Sequence, residues 1–305
     1  MATKIKKYND ITWVNIVEPD LEDIRQITEK YKFHPLDIKD VRGEAQRSKI
    51  DVYPTYAFII LQFPVTYKDS SLLGSHELNV FLGKDFVITI QKKKLKSLNQ
   101  YFYKIAGNKK LQVEVFQKKP AYVLYHILDH LYRSSFMIID WLSKEINRLE
   151  ITVFEEHTKQ SVKDLATLRR NILTYKSFID PQRFVAQTLV NVKQDYLAGD
   201  LENYFGDILD YIQRIYTALL NGKELVDGLH ETNESLTSFR LNRAMKILTI
   251  FSVSMLPLTL FTGFYGMNVE SLPLIHEEQL IWWIFGGLAT LIILIFGWLK
   301  WKDII

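Results

Sequence analysis

The hydrophobic pattern of this chain changes character twice. Up to about residue 118 it comes in short β-branched and aromatic runs, at 12–17, 49–53, 56–63, 77–82 and 86–91. Runs of this kind between turn residues predict strands. Pro54 separates the second from the third, and Gly83-Lys84-Asp85 joins the last two as a hairpin. Residues 21–31 have helical spacing with Pro19-Asp20 as the start signal, and His34-Pro35-Leu36-Asp37 reads as a turn entering a helix.

After residue 118 the period is helical. Leu124, Ile127, Leu128, Leu131, Phe136, Ile139, Leu142, Ile146 and Leu149 predict one helix over 123–154. A second is expected over 162–178, stopped by Asp180-Pro181, and a third over 183–193. From Glu202 no proline occurs until Pro257, so 202–264 reads as one helix, about 95 Å long at ~1.5 Å per residue. Gly206, Gly222 and Gly228 weigh against it by roughly 1 kcal/mol each relative to alanine.

The third regime is apolar on every face. Residues 247–269 and 279–299 contain no Asp, Glu, Lys or Arg. Each run meets the ~20 residues that cross a hydrocarbon core. Arg240, Arg243 and Lys246 precede the first span, and Lys300 and Lys302 follow the second. The loop between them has Glu270, Glu277 and Glu278 and no Lys or Arg. Positive flanks stay inside, so both chain ends are expected in the cytoplasm and the protein in the cell or inner membrane. Trp282, Trp283, Trp298 and Trp301 fall near the ends of the second span, where aromatic belts lie. The expected organisation is a cytoplasmic α/β domain (1–118), a helical region (119–240), a first span (241–268), an outer loop (269–278), a second span (279–299) and a basic tail (300–305). The fold class is therefore α+β with two C-terminal transmembrane helices.

Composition removes several function classes. A net charge of +3 over 305 residues gives no support to a nucleic-acid partner. The absence of cysteine removes disulfides, thiolate metal sites and cysteine catalysis. Residues 1–10 are polar and lack a signal-peptide core. No phosphate-binding Gly-x-x-x-x-Gly-Lys motif and no enzyme signature occurs, so no organic cofactor is expected. His126 and His130 have an i, i+4 spacing that can bind a transition metal, but Asp129 between them does not complete a zinc-hydrolase motif, and a structural role is favoured. Lys92-Lys93-Lys94 with Lys96 reads as a solvated basic surface.

Two spans cannot enclose a water-filled path, whereas several copies around an axis can. In the first span Met245, Thr249, Ser252, Leu256, Thr259 and Gly263 recur at steps of four and three, which places them on one helical stripe. The stripe is mostly small or polar, the composition of an inner wall. Small residues also favour close helix packing in membranes, and the pattern alone leaves both readings open.

At the outer end of that span stands Tyr265-Gly266-Met267-Asn268, after Pro257-Leu258-Thr259 and before a final span. Gly-Met-Asn in this setting resembles the CorA family of magnesium transporters. Residues 242–249 look like its inner pore entrance, and Tyr204-Phe205-Gly206-Asp207 looks like the start of its long pore helix. Arg169-Arg170, Pro181-Gln182-Arg183, and Trp13, Pro19, Arg47, Lys49, Tyr56, Glu77 and Phe81-Leu82-Gly83 also fit. The resemblance implies a homopentamer with a cytoplasmic funnel. Its selectivity filter would be Gly266, Met267 and Asn268, its pore lined by Asn242, Met245, Leu248, Thr249, Ser252, Leu256, Thr259 and Gly263. Neutral oxygens of Asn268 and Gly266 suit a hydrated Mg²⁺, an ion that gives up water reluctantly. The resemblance further implies regulation by cytoplasmic Mg²⁺ at Asp207 and Glu231. The outer loop departs from the family pattern, since Leu272-Pro273-Leu274 replaces Met-Pro-Glu. Passive uptake of Mg²⁺, with Co²⁺ and Ni²⁺ as further substrates, is the leading expectation. A zinc transporter of the same architecture and a membrane-tethered sensor without flux are the alternatives.

Overall fold

The computed structural model describes residues 3–67, 70–155, 159–192, 194, 196, 201–267 and 278–302. These form two compact units, Met1–His230 and Glu231–Ile305.

The first unit is built on a six-stranded sheet. Its strands are β1 (Thr3–Tyr8), β2 (Ile11–Val17), β3 (Lys49–Val52), β4 (Tyr56–Thr66), β5 (Leu73–Gly83) and β6 (Phe86–Gln91), in the spatial order β1-β2-β6-β5-β4-β3. Every pair is antiparallel except β2 with β6. The central strands are apolar on both faces because both are covered. Along β4, Tyr56, Phe58 and Ile60 pack on one side with Phe33, Ile38 and Val41, while Ala57, Ile59 and Leu61 join the helical core on the other. Pro64 sits in β4 beyond the four residues that β3 covers, where no ladder bond on that side is lost.

One face carries α1 (Leu21–Tyr31) and α2 (Pro35–Arg42). Asp20 caps α1 by accepting from the Asp23 amide at 2.7 Å, and Pro35 opens α2 behind the His34 cap. The other face carries α3 (Lys96–Gly107), α4 (Lys109–Phe116), α5 (Pro120–Glu155) and α6 (Lys159–Asn191). A buried amide network docks α3 on the sheet. Gln91 Nε2 donates to Asn15 Oδ1 (2.7 Å), Asn99 Nδ2 to Gln91 Oε1 (2.9 Å), and Trp13 Nε1 to Thr89 Oγ1 (3.0 Å).

Two expectations need correction. The helix over 162–178 does not stop at Asp180-Pro181; α6 runs through Pro181 and absorbs the separate helix expected at 183–193. An interior proline costs about 3 kcal/mol. Here packing on both sides outweighs it: Phe178, Ile179, Val185 and Ala186 are buried. Gln182, fully buried, donates from Nε2 to the Phe178 and Gln62 carbonyls at 2.9 and 2.7 Å and accepts from the Tyr132 hydroxyl. Nor is Lys92 part of a solvated run. Its Nζ pairs with the buried Glu77 carboxylate at 2.7 Å and donates to the Asp40, Gly43 and Glu44 carbonyls. Lys93 and Lys94 are exposed.

The expected long helix is α7, Glu202–Tyr265. In the first unit its buried residues Phe205, Ile208, Ile212, Ile215, Leu219, Val226 and Leu229 follow a heptad seam. Gly222 lies in that seam, where a Cβ would stand 3.3 Å from Ile146 Cδ1, whereas Gly206 and Gly228 face open space. The seam's burial, not local propensity, carries the helix across three glycines. The second unit holds the rest of α7 and α8, Glu278–Trp301. Both helices are long and apolar enough to span a membrane.

Candidate functional site

In the second unit α7 meets α8 along a narrow face. From Leu241 to Met267 only Ile250, Ser254, Leu258, Phe261 and Tyr265 lose part of their exposure. Their spacing of four, four, three and four defines one stripe. The Phe261 ring lies tilted to Tyr265 (4.8 Å between centroids) and to Phe285 of α8 (6.4 Å).

The residues expected to line a pore all lie elsewhere on the helix. Asn242, Met245, Leu248, Thr249, Ser252, Leu256, Thr259 and Gly263 are exposed. At ~100° per residue their mean direction is about 180° from that of the α8-facing stripe. The second unit therefore presents a continuous small, polar and apolar strip that its own partner helix leaves uncovered.

The hydroxyls on this strip have a defined polarity. Thr249 donates to the Met245 carbonyl at 2.8 Å and Thr259 to the Met255 carbonyl at 3.0 Å. A threonine hydroxyl has one proton and two lone pairs. With the proton held by the helix backbone, the lone pairs remain as acceptors. Acceptors without fixed charge match the waters of a hydrated cation, which donate, and offer an anion nothing. The negative end of the α7 dipole lies at its C-terminus, beside Gly266, and has the same preference.

Gly266 ends the helix at a place where only hydrogen fits. Its amide donates to the Thr262 carbonyl at 2.9 Å, and a Cβ built on it would stand 2.9 Å from that same oxygen. Met267 follows in a bend and is exposed. Asn268, Glu270 and Glu277 lie outside the described residues; Glu278 is the first residue of α8.

The acids of α7 differ in their surroundings, the expected regulatory pair Asp207 and Glu231 among them. Asp207 is exposed on α7 in the first unit, near Tyr125 and Tyr211, whose hydroxyls are pushed up first by burial, then by the Asp129 charge, with Asp207 adding a smaller push. Asp227 is committed to an ion-pair pair, with Arg169 Nε and Lys223 Nζ each at 2.7 Å, which holds its carboxyl below the usual range. Glu231 is exposed in the second unit. Among the described residues no group of three or more His, Asp or Glu side chains converges within the chain.

His126 and His130 pack against tyrosines. The His126 ring meets Tyr122 edge-on at 4.5 Å, and His130 stacks on Tyr101 at 4.3 Å. Burial lowers both imidazole pKa values. The sequence pattern concealed three features of this molecule: the Lys92–Glu77 pair, the close approach at Gly266, and the direction in which α7 meets α8. For the second, glycine at a helix end was the available signal.

The chain resembles known proteins over nearly its whole length. Residues 8–301 match the profile of the CorA-like Mg²⁺ transporter proteins. The cobalt/magnesium transport protein CorA of Thermotoga maritima is 28% identical over 295 residues, covering 95% of this chain and 83% of the relative. The complete structure of the CorA magnesium transporter from Methanocaldococcus jannaschii superposes with a TM-score of 0.82 at 21% identity, over 96% of this chain and 92% of that one. The ZntB cytoplasmic domain from Vibrio parahaemolyticus has a TM-score of 0.63 at 14% identity, over 76% and 89% of the two chains.

Proposed function

The chain belongs to the CorA-like Mg²⁺ transporter family of integral membrane divalent-cation transporters, and from that premise we propose that it takes up hydrated Mg²⁺, and Co²⁺ and Ni²⁺ with it, through a homopentameric pore. One observation carries the reading: the strip of neutral acceptors on α7 lies opposite the face that α8 covers. Five such strips around an axis would enclose a path that a cation crosses with its waters in place.

Mg²⁺ keeps several waters when bound, and a filter of carboxylates would hold it too tightly to release it. Gly266 carbonyls and Asn268 side chains supply weaker oxygens at the outer mouth, with Met267 between them. Thr259 and Asn242 repeat the contact deeper in. Met245, Leu248 and Leu256 narrow the path with apolar side chains, which stop ions by dewetting. The membrane potential drives a divalent ion inward with about 4.6 kcal/mol per 100 mV. The outer acids Glu270, Glu277 and Glu278 raise the local cation concentration at the mouth.

For regulation, Mg²⁺ on Asp207 and Glu231 joins neighbouring subunits and favours the closed pore, so that falling internal Mg²⁺ opens it. Supporting this assignment, Asp207 carries no ion pair among the described residues, unlike Asp227. Asp207→Ala is expected to weaken inhibition by internal Mg²⁺.

Flux into proteoliposomes tests the proposal. Mg²⁺ uptake should follow an inside-negative potential, need no proton gradient, and fall in Asn268→Ala. Zinc preferred over magnesium with dependence on a proton gradient would assign the chain to zinc transport, a reading that the likeness to the ZntB cytoplasmic fold keeps in view. No flux for any divalent ion would leave a tethered sensor.

A further inference from the structure

The second unit contains a groove whose lining lies off the conduction strip except at Thr249, which borders both. It lies between α7 and α8, has a volume of about 420 Å³, and is almost wholly apolar. Ile250, Val253 and Pro257 form one wall, and Leu288, Leu291 and Ile295 the other. From Thr249 to Pro257 it runs about 12 Å along the helix axis. One leaflet of a bilayer has about 15 Å of hydrocarbon. The groove therefore matches most of one acyl chain.

Its polar end is basic. Lys246 stands one turn before Ile250, and Arg243 and Arg240 continue downward; all three are exposed. At ~100° per residue their mean direction is about 50° from that of the groove residues and about 160° from that of the conduction strip. These cations thus face the groove side of α7. On α8, Leu299 closes the groove and Lys302 follows, its Nζ 4.7 Å from the centre of the Trp298 ring. This is the cytoplasmic end of both spans, where anionic lipid attracts basic side chains by ~1 kcal/mol each.

We propose that the groove between α7 and α8 binds an anionic phospholipid of the cytoplasmic leaflet, with one acyl chain between Val253 and Leu291 and its phosphate between Lys246 and Lys302. A second copy's helix is a poor occupant. Its span residues, 247–269 or 279–299, carry no acid to answer the cations at the groove's end. A neutral lipid would fill the groove but leave the cations unanswered. Bound lipid would brace α7 against α8 from the side away from the ions.

Intact-complex mass spectrometry of the full-length protein, released from nanodiscs of phosphatidylcholine and phosphatidylglycerol in equal amounts, tests the site. The wild type should retain phosphatidylglycerol preferentially. Lys246→Gln and Lys302→Gln should each reduce that preference ~5-fold, and together ~25-fold. Leu291→Trp and Val253→Phe, which fill the groove from opposite walls, should lower retention of both lipids at unchanged oligomeric mass. Equal retention of the two lipids by the wild type, or an unaltered preference in the double lysine variant, overturns the proposal. So does loss of oligomeric mass with lipid retained in either groove variant, which would give the groove to a second copy. The readout needs no ion flux, so it stands or falls separately from the transport reading.

Discussion

The chain has no cysteine, so single cysteines placed along α7 report on their surroundings without background. Two sets are informative. Ser252, Leu256, Thr259 and Gly263 lie on the exposed strip, and Ile250, Ser254, Leu258 and Phe261 on the face toward α8. The two faces are about 10 Å apart across the helix. A water-soluble methanethiosulfonate reacts with the thiolate. Beside water a thiol of pKa ~8.5 is roughly 10% ionised at pH 7.5. Among apolar side chains a rise of ~2 units leaves on the order of 0.1%. The strip should therefore react at least ~100-fold faster than the α8-facing set, with reactivity repeating every three to four residues. Modification at Ser252 or Leu256 should also block Mg²⁺ uptake in proteoliposomes, whereas modification at Ile250 should leave it intact. Flat reactivity, or a maximum at Ile250, Ser254 and Leu258, would refute the assignment of the conducting face.

Gly266→Ala places a Cβ 2.9 Å from the Thr262 carbonyl. Overpacking of this kind costs about 1–3 kcal/mol, and uptake should fall ~10-fold or more if the filter moves to relieve it; Gly206→Ala, in open space, is the control and should transport normally. Lys92→Met removes the counter-ion of the Glu77 carboxylate, of which only 2% is exposed and to which the Gln46 and Asn79 N–H donors remain, and it frees three carbonyls. A loss of about 3–5 kcal/mol is expected in denaturant unfolding, and Glu77→Gln in the same chain should recover part of it. Burial lowers the pKa values of His126 and His130, so the unfolded chain binds protons first; stability held above pH ~6.5 drains as the pH falls toward the folded values. His126→Gln should flatten that acid limb in melting curves. Asp37 acts in the opposite direction. Its burial outweighs the donors Tyr56 and Tyr53 and raises its pKa, so the cost of its charge disappears as the pH drops through the folded value toward ~4. Asp37→Asn should remove that gain on acidification.

The amino-acid sequence by itself determined the membrane course of this protein. Two uncharged stretches, basic flanks at 240–246 and 300–302, and an acidic loop suffice, because transfer into lipid depends on composition more than on contacts. It also determined most strands and the full extent of α7, where long periodic patterns leave little choice. Local signals misled where packing was stronger. Pro181 is a helix breaker that Gln182 and its buried neighbours overrule, and Lys92 looks like surface until Glu77 is seen beneath it. Periodicity grouped Thr249, Ser252, Leu256 and Thr259 on one stripe without saying what that stripe faces. Only the tertiary structure decided this, by setting α8 against Ile250, Ser254, Leu258 and Phe261. The reason is geometric: a period specifies which residues share a side, and a second helix must occupy one side before the other becomes available to ions.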